Sequence, residues 1–144
     1  MSEKAKTIRQ SASIPAKPAD VYDALLDAKK HAAFTNSRAT CDVRVGGKFT
    51  AYDGYIWGKN LELEKGRRIV QEWQTTEWPE GTPPSIVEFT LEASKEGTRL
   101  TMVHSRVPAE QADDYRQGWI DYYWNPLKEY FKNAGNTARR SHGP

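Results

Sequence analysis

The sequence has a single cysteine and no long apolar run. One thiol, Cys41, cannot form an internal disulfide, and chains without disulfides are typical of reducing compartments, so we expect a cytoplasmic protein. No segment approaches the roughly 20 apolar residues that a membrane-spanning helix needs. The N-terminal residues MSEKAKTIRQSASI also lack the apolar centre of a signal peptide. These absences predict a protein without a membrane span.

The chain also has little excess charge and few metal-binding side chains. Its 21 basic and 19 acidic residues leave a net charge of +2, which is too weak to predict a nucleic-acid partner. The three histidines, His31, His104 and His142, are far apart, and none has a cysteine or a second histidine at a ligand spacing. We therefore expect neither a metal site nor a cofactor.

Aromatic residues supply much of the apolar content. The 144 residues include five Trp, seven Tyr and four Phe, within a hydrophobic share of 38%. A chain of this length fits one domain built around one core. We expect that domain over residues 1–135, followed by a flexible, solvated tail over residues 136–144.

The pattern of the chain predicts strands before and after two short helices. The first strand is expected over residues 7–14, because Pro15 and Pro18 end it. Apolar residues at helical spacing then predict two helices, over residues 19–27 and 29–34. Later segments alternate with a period of two, and turns are expected at Asp53-Gly54, at Lys65-Gly66 and around residues 95–97.

One of these strands is expected to be bent. Val43, Val45 and Phe49 alternate with polar residues, which predicts a continuous strand through this region. Gly46 and Gly47 interrupt it, as glycines do at a bulge or sharp bend. With this region counted as one bent strand, the sequence predicts an α+β fold in which six strands form a curved antiparallel sheet.

A long aromatic helix is predicted over residues 109–132. Apolar side chains cover half of its circumference or more, which is a wider face than one sheet needs. The sequence leaves open whether the second contact of this face is with the two short helices, with a ligand in an internal cavity or with a partner molecule. Ordinary core packing explains the aromatic rings equally well. Pro126 cannot donate to the carbonyl of Tyr122, so we expect a kink there or another donor for that oxygen.

The order of several short motifs resembles the START-like helix-grip (SRPBCC) superfamily, and within it the branch named for the C-terminal domain of the activator of the heat-shock-protein-90 ATPase. The resemblance covers residues 8–132. It implies a curved sheet that wraps around a long C-terminal helix, with two short helices after the first strand. The matching motifs are Asp42–Phe49, Gly54, Gly58, Arg68–Trp73, Gly97–Thr101, His104, Pro108 and Gly118-Trp119.

The resemblance implies three kinds of function. The first is binding of a hydrophobic small molecule or lipid-like ligand in a cavity between the sheet and the last helix. The second is protein interaction in a co-chaperone role, with a chaperone as partner, and the third is enzyme activity of the cyclase or hydrolase type. No catalytic set emerges from the residues, so we expect a binding domain, present as a monomer or a homodimer.

The residues expected to line the cavity are aromatic or apolar, with one histidine. Cys41 has no neighbouring base in the sequence and is interpreted as a small buried residue. For His104, a structural role in the core is favoured over a ligand contact. The cavity-lining candidates are Phe49, Trp57, Trp73, Phe89, Met102, His104, Tyr115, Trp119, Tyr122 and Tyr123.

Overall fold

The computed structural model describes residues 5–78 and 81–132. The predicted tail, residues 136–144, lies outside them. Seven strands and four helical segments follow one another in the order β1 (Ala5–Ile14), α1 (Pro18–Leu26), α2 (Ala28–Thr35), β2 (Thr40–Cys41), β3 (Lys48–Ala51), β4 (Ile56–Glu64), β5 (Arg68–Thr75), β6 (Ser85–Ser94), β7 (Gly97–Pro108), a short 3-10 helix (Ala109–Gln111) and α3 (Ala112–Trp119). Helix α3 continues through a π-helical turn (Ile120–Trp124) and residues 125–132.

All seven strands belong to one antiparallel sheet in the order β1-β7-β6-β5-β4-β3-β2. The predicted turns are present, because Gly54 (φ 89°), Gly66 (φ 73°) and Gly97 (φ 131°) adopt a backbone conformation that other residues rarely reach. Alternate residues of each strand face the helices, so the buried side chains form one layer between the sheet and the helical segments. The α+β class and the two short helices after β1 are thus as predicted.

The predicted count of six strands is wrong, because the expected bent strand is two strands and a loop. Cys41 pairs with Phe49, and the chain between them leaves the sheet. Within this loop Gly46 has a φ of 84°, which no residue of an extended strand adopts. As a result Val43 and Val45, predicted to alternate into the core, are 53% and 62% exposed.

A buried amide holds this loop in place. Asn60 of β4 is fully buried, and its Nδ2 donates to the carbonyl oxygens of Asp42 (3.1 Å) and Arg44 (3.3 Å). Its Oδ1 accepts a hydrogen bond from Gln71 Nε2 (2.9 Å). The backbone of Asn60 also pairs with the loop, since its carbonyl accepts from Gly46 N and its N–H donates to the carbonyl of Gly47. The amide of this one buried side chain is therefore fully hydrogen-bonded and joins the loop to β4 and β5.

The C-terminal helix, residues 112–132, has irregular backbone hydrogen bonds at two places. In the π-helical turn the N–H of Asn125 donates to the carbonyl of Ile120, five residues earlier. Pro126 has no N–H to give to the carbonyl of Tyr122, and that oxygen instead accepts a hydrogen bond from the hydroxyl of Tyr52. The expectation that another group would satisfy this carbonyl is confirmed.

The start of the π-helical turn is bonded to the opposite edge of the sheet. The N–H of Ile120 donates to Gln117, three residues earlier, and the carbonyl of Arg116 accepts from Nε2 of Gln10 in β1 (2.9 Å). The same amide accepts from Nε1 of Trp124 (2.7 Å). Tyr52 and Gln10 therefore hold the helix to the sheet from two sides.

The wide apolar face of the helix has two contacts, as its width requires. One side packs on the sheet, and the other packs on α2, where Phe34 lies 5.8 Å from the ring of Tyr123. The face is not buried throughout, because Ile120 and Tyr122 are 36% and 59% exposed. The wider turn of the π-helix shifts the side chains that follow it, so a constant 100° spacing misplaces them. No helix in the described parts of the chain has both the length and the apolar character to cross a membrane.

The buried amide network yields a test of the fold. Replacement of Asn60 by Ala removes its hydrogen bonds to two loop carbonyls and leaves the buried Nε2 of Gln71 without an acceptor, so we expect the free energy of unfolding to fall by about 1–3 kcal/mol. Urea denaturation measures the change. Asn125, exposed on the last helix, is the matched control, and its replacement by Ala should change stability by less than about 0.5 kcal/mol. Equal stability of the two variants would contradict the structural role of Asn60.

Candidate functional site

Aromatic rings fill the space directly beneath the C-terminal helix. The ring of Trp119 stacks on that of Trp124 (5.4 Å, 17°) and lies 5.7 Å from Trp73 and 5.8 Å from Phe89. The void that remains among these rings has a volume of about 20 Å³. This space holds roughly one water molecule. The sheet and helix therefore do not enclose a ligand-sized chamber at this place, in contrast to the prediction of an internal cavity.

Larger space lies at one end of this layer, between the turn after β3, the end of β5 and the first half of the C-terminal helix. The cleft is open on one side and has a volume of about 520 Å³, within the range of small-molecule sites. Five of its eleven described lining residues are tyrosines, and we call it the tyrosine cleft. It is lined by Tyr52, Tyr55, Ile56, Trp73, Glu77, Asp114, Tyr115, Gly118, Trp119, Tyr122 and Tyr123.

Half of the ten predicted residues line this cleft. They are Trp73, Tyr115, Trp119, Tyr122 and Tyr123. Phe49 and Phe89 border only the small void. Met102 and His104 are fully buried in the core and border neither space. The periodicity of the strands and of the helix thus identified which side chains point inward. It did not identify the end of the layer between sheet and helix at which the cleft remains.

Trp57 lies on the other face of the sheet. It is 45% exposed, whereas its neighbour Ile56 is 4% exposed and lines the cleft. Side chains alternate along a strand, so the two residues cannot share a face. The placement of Trp57 in a cavity between sheet and helix is therefore wrong, and Ile56 takes that position.

Six lining residues were not among the cavity-lining candidates from the sequence: Tyr52, Tyr55, Ile56, Glu77, Asp114 and Gly118. A signal existed for the first two, since Tyr52 and Tyr55 flank the Asp53-Gly54 turn, where small polar residues are usual. Large aromatic rings in a tight turn indicate that the turn packs against another element of the fold. Glu77 follows β5 in a loop and Asp114 lies in the first turn of α3, and neither carries a pattern that predicts its location.

The hydroxyl hydrogens of the tyrosines are largely engaged by protein acceptors. Tyr55 donates to Oε1 of Glu77 (2.6 Å). Tyr115 donates to Oε1 of Gln111 (2.8 Å), and its oxygen accepts from Nε1 of Trp78 (2.8 Å). Burial, together with the hydrogen bond to Glu77, raises the pKa of Tyr55 above its ordinary value. Both rings are therefore fixed in position, and the hydroxyl of Tyr55 stays protonated at neutral pH.

The two remaining buried hydroxyls are fixed in the same way. Tyr52 bonds to the carbonyl of Tyr122, and burial raises the pKa of Tyr52 to about 12. Tyr123 lies 3.0 Å from Nε2 of His31. Because Nδ1 of that imidazole faces the carbonyl of Leu25 (3.1 Å) and must donate to it, Nε2 accepts the hydrogen of Tyr123. Burial lowers the pKa of His31 to about 4, so this bond is intact at neutral pH.

His104 is a buried core residue with both ring nitrogens hydrogen-bonded, which agrees with the favoured interpretation of a structural role. Nε1 of Trp119 donates to its Nδ1 (3.1 Å), so its other nitrogen, Nε2, carries the hydrogen and donates to Oγ of Ser85 (2.7 Å). Ser85 in turn donates to the carbonyl of Trp73 (2.7 Å). Burial lowers the pKa of His104 to about 3. A neutral imidazole with both nitrogens occupied has no free atom for a ligand or a substrate.

Cys41 has neither the environment of a nucleophile nor that of a fully buried side chain. It is half-buried, its Sγ lies 3.8 Å from Nδ2 of Asn60, and burial raises the pKa of its thiol. A reactive cysteine needs the opposite shift. Within residues 5–78 and 81–132, no group of three or more His, Cys, Asp or Glu side chains has a geometry that could hold a metal ion.

The two buried histidines predict how stability depends on pH. Both have folded-state pKa values below the ordinary 6.5, so below pH 6.5 the unfolded chain binds protons that the folded chain does not. We expect the free energy of unfolding to be fully present above pH 6.5 and to fall toward pH 4, by about 1.4 kcal/mol per pH unit for each histidine. Urea denaturation at several pH values measures the slope.

The variants His31→Gln and His104→Gln identify the groups responsible. Each removes one of the two titrating imidazoles, so each should reduce the slope by about 1.4 kcal/mol per pH unit, whatever it does to stability at neutral pH. Stability that stays constant between pH 6.5 and about pH 5, above the range in which most carboxylates titrate, would contradict burial of neutral histidines.

Comparisons with known proteins, by sequence and by structure, agree on one family. The sequence profile described as "Activator of Hsp90 ATPase homolog 1-like protein" matches residues 15–132. The activator of 90 kDa heat shock protein ATPase homolog of Dictyostelium discoideum is 31% identical over 127 residues, which is 88% of this chain and 33% of that protein. The activator of 90 kDa heat shock protein ATPase homolog 1 of Homo sapiens is 32% identical over 114 residues, 79% of this chain and 33% of its own length.

A solved structure agrees with the sequence profile and with the two related sequences. The crystal structure of an HSP90 activator from Plasmodium falciparum superposes with a TM-score of 0.77 at 25% identity, over 90% of this chain and 96% of that chain. The chain spans about a third of the length of the curated relatives that it matches. By profile, by sequence identity and by fold, the chain belongs to the family of activator of Hsp90 ATPase homolog 1-like proteins, on the START-like helix-grip fold.

Proposed function

We propose that the protein binds a hydrophobic small molecule in the tyrosine cleft. The observation that carries this proposal is the cleft itself, about 520 Å³ of open-sided space lined mainly by aromatic rings. Few polar groups with fixed positions among apolar walls are typical of small-ligand sites. The hydrogen bonds of Tyr52, Tyr55, Tyr115 and Tyr123 hold the walls before any ligand arrives, so little side-chain entropy remains to be lost on binding.

The rings around the cleft also contribute to the core, which makes them poor targets for a test. Trp119 and Tyr123 are buried among other rings, and truncation would unfold the protein as readily as it emptied the site. Gly118 is a better position. A Cβ at Gly118 would have a single near neighbour, a ring carbon of Tyr122 at 3.8 Å, which is ordinary contact.

Replacement of Gly118 by Leu should therefore fill the cleft without disrupting the fold. Leu also favours a helix over Gly by about 0.5–1 kcal/mol, so we expect equal or higher stability. A neutral apolar probe such as N-phenyl-1-naphthylamine, titrated by fluorescence, should bind the wild type and lose about tenfold or more in affinity in the variant, since its apolar contacts are displaced.

Gln117→Leu is the matched control for this test. Gln117 is exposed on the same turn of the helix and does not line the cleft, so the same apolar side chain is added outside the site. Probe affinity in the control should match the wild type. Undiminished affinity in Gly118→Leu would place the probe elsewhere and remove the support for the cleft as a binding site.

A second candidate function is stimulation of an Hsp90-type chaperone. It is favoured by the relatives, which are named as activators of this ATPase and are 31% and 32% identical to this chain. The activator from Plasmodium falciparum, of which this chain covers 96%, also favours it. The proposal is that the helix-grip domain alone contacts the chaperone, although the two curated activators are about three times as long as the matched segment.

ATP hydrolysis by a purified Hsp90 tests this candidate directly. We expect addition of the chain to raise the hydrolysis rate in a saturable way, with the background measured in the presence of an Hsp90 inhibitor. The variant Gly118→Leu separates the two functions, because a chaperone contact outside the cleft should survive it. Absence of both stimulation and binding to the chaperone at micromolar concentrations would argue against the co-chaperone function.

A further inference from the structure

The charged groups of the tyrosine cleft are of one sign. Its described lining residues include two carboxylates, Glu77 and Asp114, and no lysine, arginine or histidine. Glu77 and Asp114 are both exposed at the rim of the cleft, so their charges face anything that enters. The net charge of the whole chain is +2, and the cleft therefore differs in sign from the protein as a whole.

The tyrosine hydroxyls add to this polarity because of the direction of their hydrogen bonds. A carbonyl or carboxylate oxygen can only accept, so Tyr52 must donate to the carbonyl of Tyr122, and Tyr55 must donate to Glu77. Tyr115 donates to Gln111, and Tyr123 donates to the neutral imidazole of His31. The hydrogens of four of the five hydroxyls are thus used within the protein. The oxygens of Tyr52, Tyr55 and Tyr123 are left with acceptor lone pairs, whereas the oxygen of Tyr115 already accepts from Nε1 of Trp78.

Seven aromatic rings complete the lining. A ring presents a negative face, which attracts a cation placed over it. The rings involved are those of Tyr52, Tyr55, Trp73, Tyr115, Trp119, Tyr122 and Tyr123. Carboxylates at the rim, hydroxyl oxygens without free hydrogens, and ring faces all favour positive charge, whereas an anion would need donors that these four hydroxyls do not supply.

We propose that the ligand of the tyrosine cleft is an organic cation, a substituted ammonium group attached to an apolar body. This inference rests on the proposed small-molecule function and specifies its ligand class. The apolar body would lie against Ile56, Trp73 and Trp119, which are the buried members of the lining apart from Tyr123. The ammonium group would lie toward the rim, near Glu77 and Asp114.

A series of three ligands of similar shape tests the charge preference. Benzyltrimethylammonium carries the cation, neopentylbenzene is its uncharged carbon isostere, and benzylsulfonate carries the opposite charge. Titration followed by the indole N–H signals of Trp73 and Trp119 in NMR spectra reports on the cleft, since both rings line it. At low ionic strength we expect the cation to bind about tenfold more tightly than the isostere, and the anion more weakly than both.

Two substitutions identify the source of the preference. In the double variant Glu77→Gln and Asp114→Asn the shapes are kept, and the amide introduced by Glu77→Gln retains an oxygen that can accept from Tyr55. The advantage of the cation over the isostere should fall to about threefold or less, the part due to the rings, while the affinity of the isostere stays unchanged. Added salt should reduce the preference in the wild type and have little effect in the double variant.

Asp113→Asn is the control. The side chain of Asp113 is 99% exposed on the same turn of α3 and does not line the cleft, so its neutralisation should leave the preference intact. An isostere or a sulfonate that binds as tightly as the ammonium would overturn the proposed ligand class and leave small-molecule binding standing. No saturable shift with any of the three ligands would overturn both this inference and the proposed function.

Discussion

The position of the C-terminal helix depends on two of its own carbonyl oxygens. Regular helical bonding would occupy the carbonyls of Arg116 and Tyr122 inside the helix. The π-helical turn and Pro126 interrupt that pattern, and the sheet supplies the donors through Gln10 and Tyr52. These hydrogen bonds are directional, whereas ring packing tolerates sliding, so they fix the helix along and across the sheet. The location of every cleft residue on the helix follows from this.

The same anchoring explains why space remains at one end of the layer only. Over the middle of the sheet, Trp119 and Trp124 lie close to Phe89, and the rings fill the interior down to a void of about 20 Å³. Near the turn after β3, Tyr52 reaches across to the helix backbone and leaves a gap beneath its ring. The filled part thus supplies most of the core and the open part supplies the cleft, while Trp73, Trp119 and Tyr123 belong to both.

Sequence patterns predicted the regular part of this fold well and the irregular part poorly. Period-two alternation and glycine turns identified the meander from β4 to β5, because each signal depends only on neighbouring residues. The same alternation gave a wrong prediction at Val43 and Val45, where a loop held by the distant Asn60 happens to repeat every second residue. The family resemblance identified the helix-grip architecture as a whole.

Only half of the predicted cavity-lining residues line the cleft, because local patterns again carry part of the information only. Periodicity indicates which face of an element is buried, so residues such as Trp73 and Tyr115 were found. Whether rings on that face interlock or leave a gap depends on rotamers and on the tilt of the helix, which no local pattern contains. Glu77 and Asp114 reach the cleft from unrelated segments, and their meeting is a product of tertiary structure alone.

Tyr123 borders both the tyrosine cleft and the small interior void, as do Trp73 and Trp119. Of these three residues, Tyr123 has its hydroxyl held by one acceptor, the unprotonated nitrogen of His31. An imidazole that gains a proton has no lone pair with which to accept. The part of the cleft wall that Tyr123 forms therefore depends on an unprotonated imidazole of α2, far along the chain from either carboxylate of the rim.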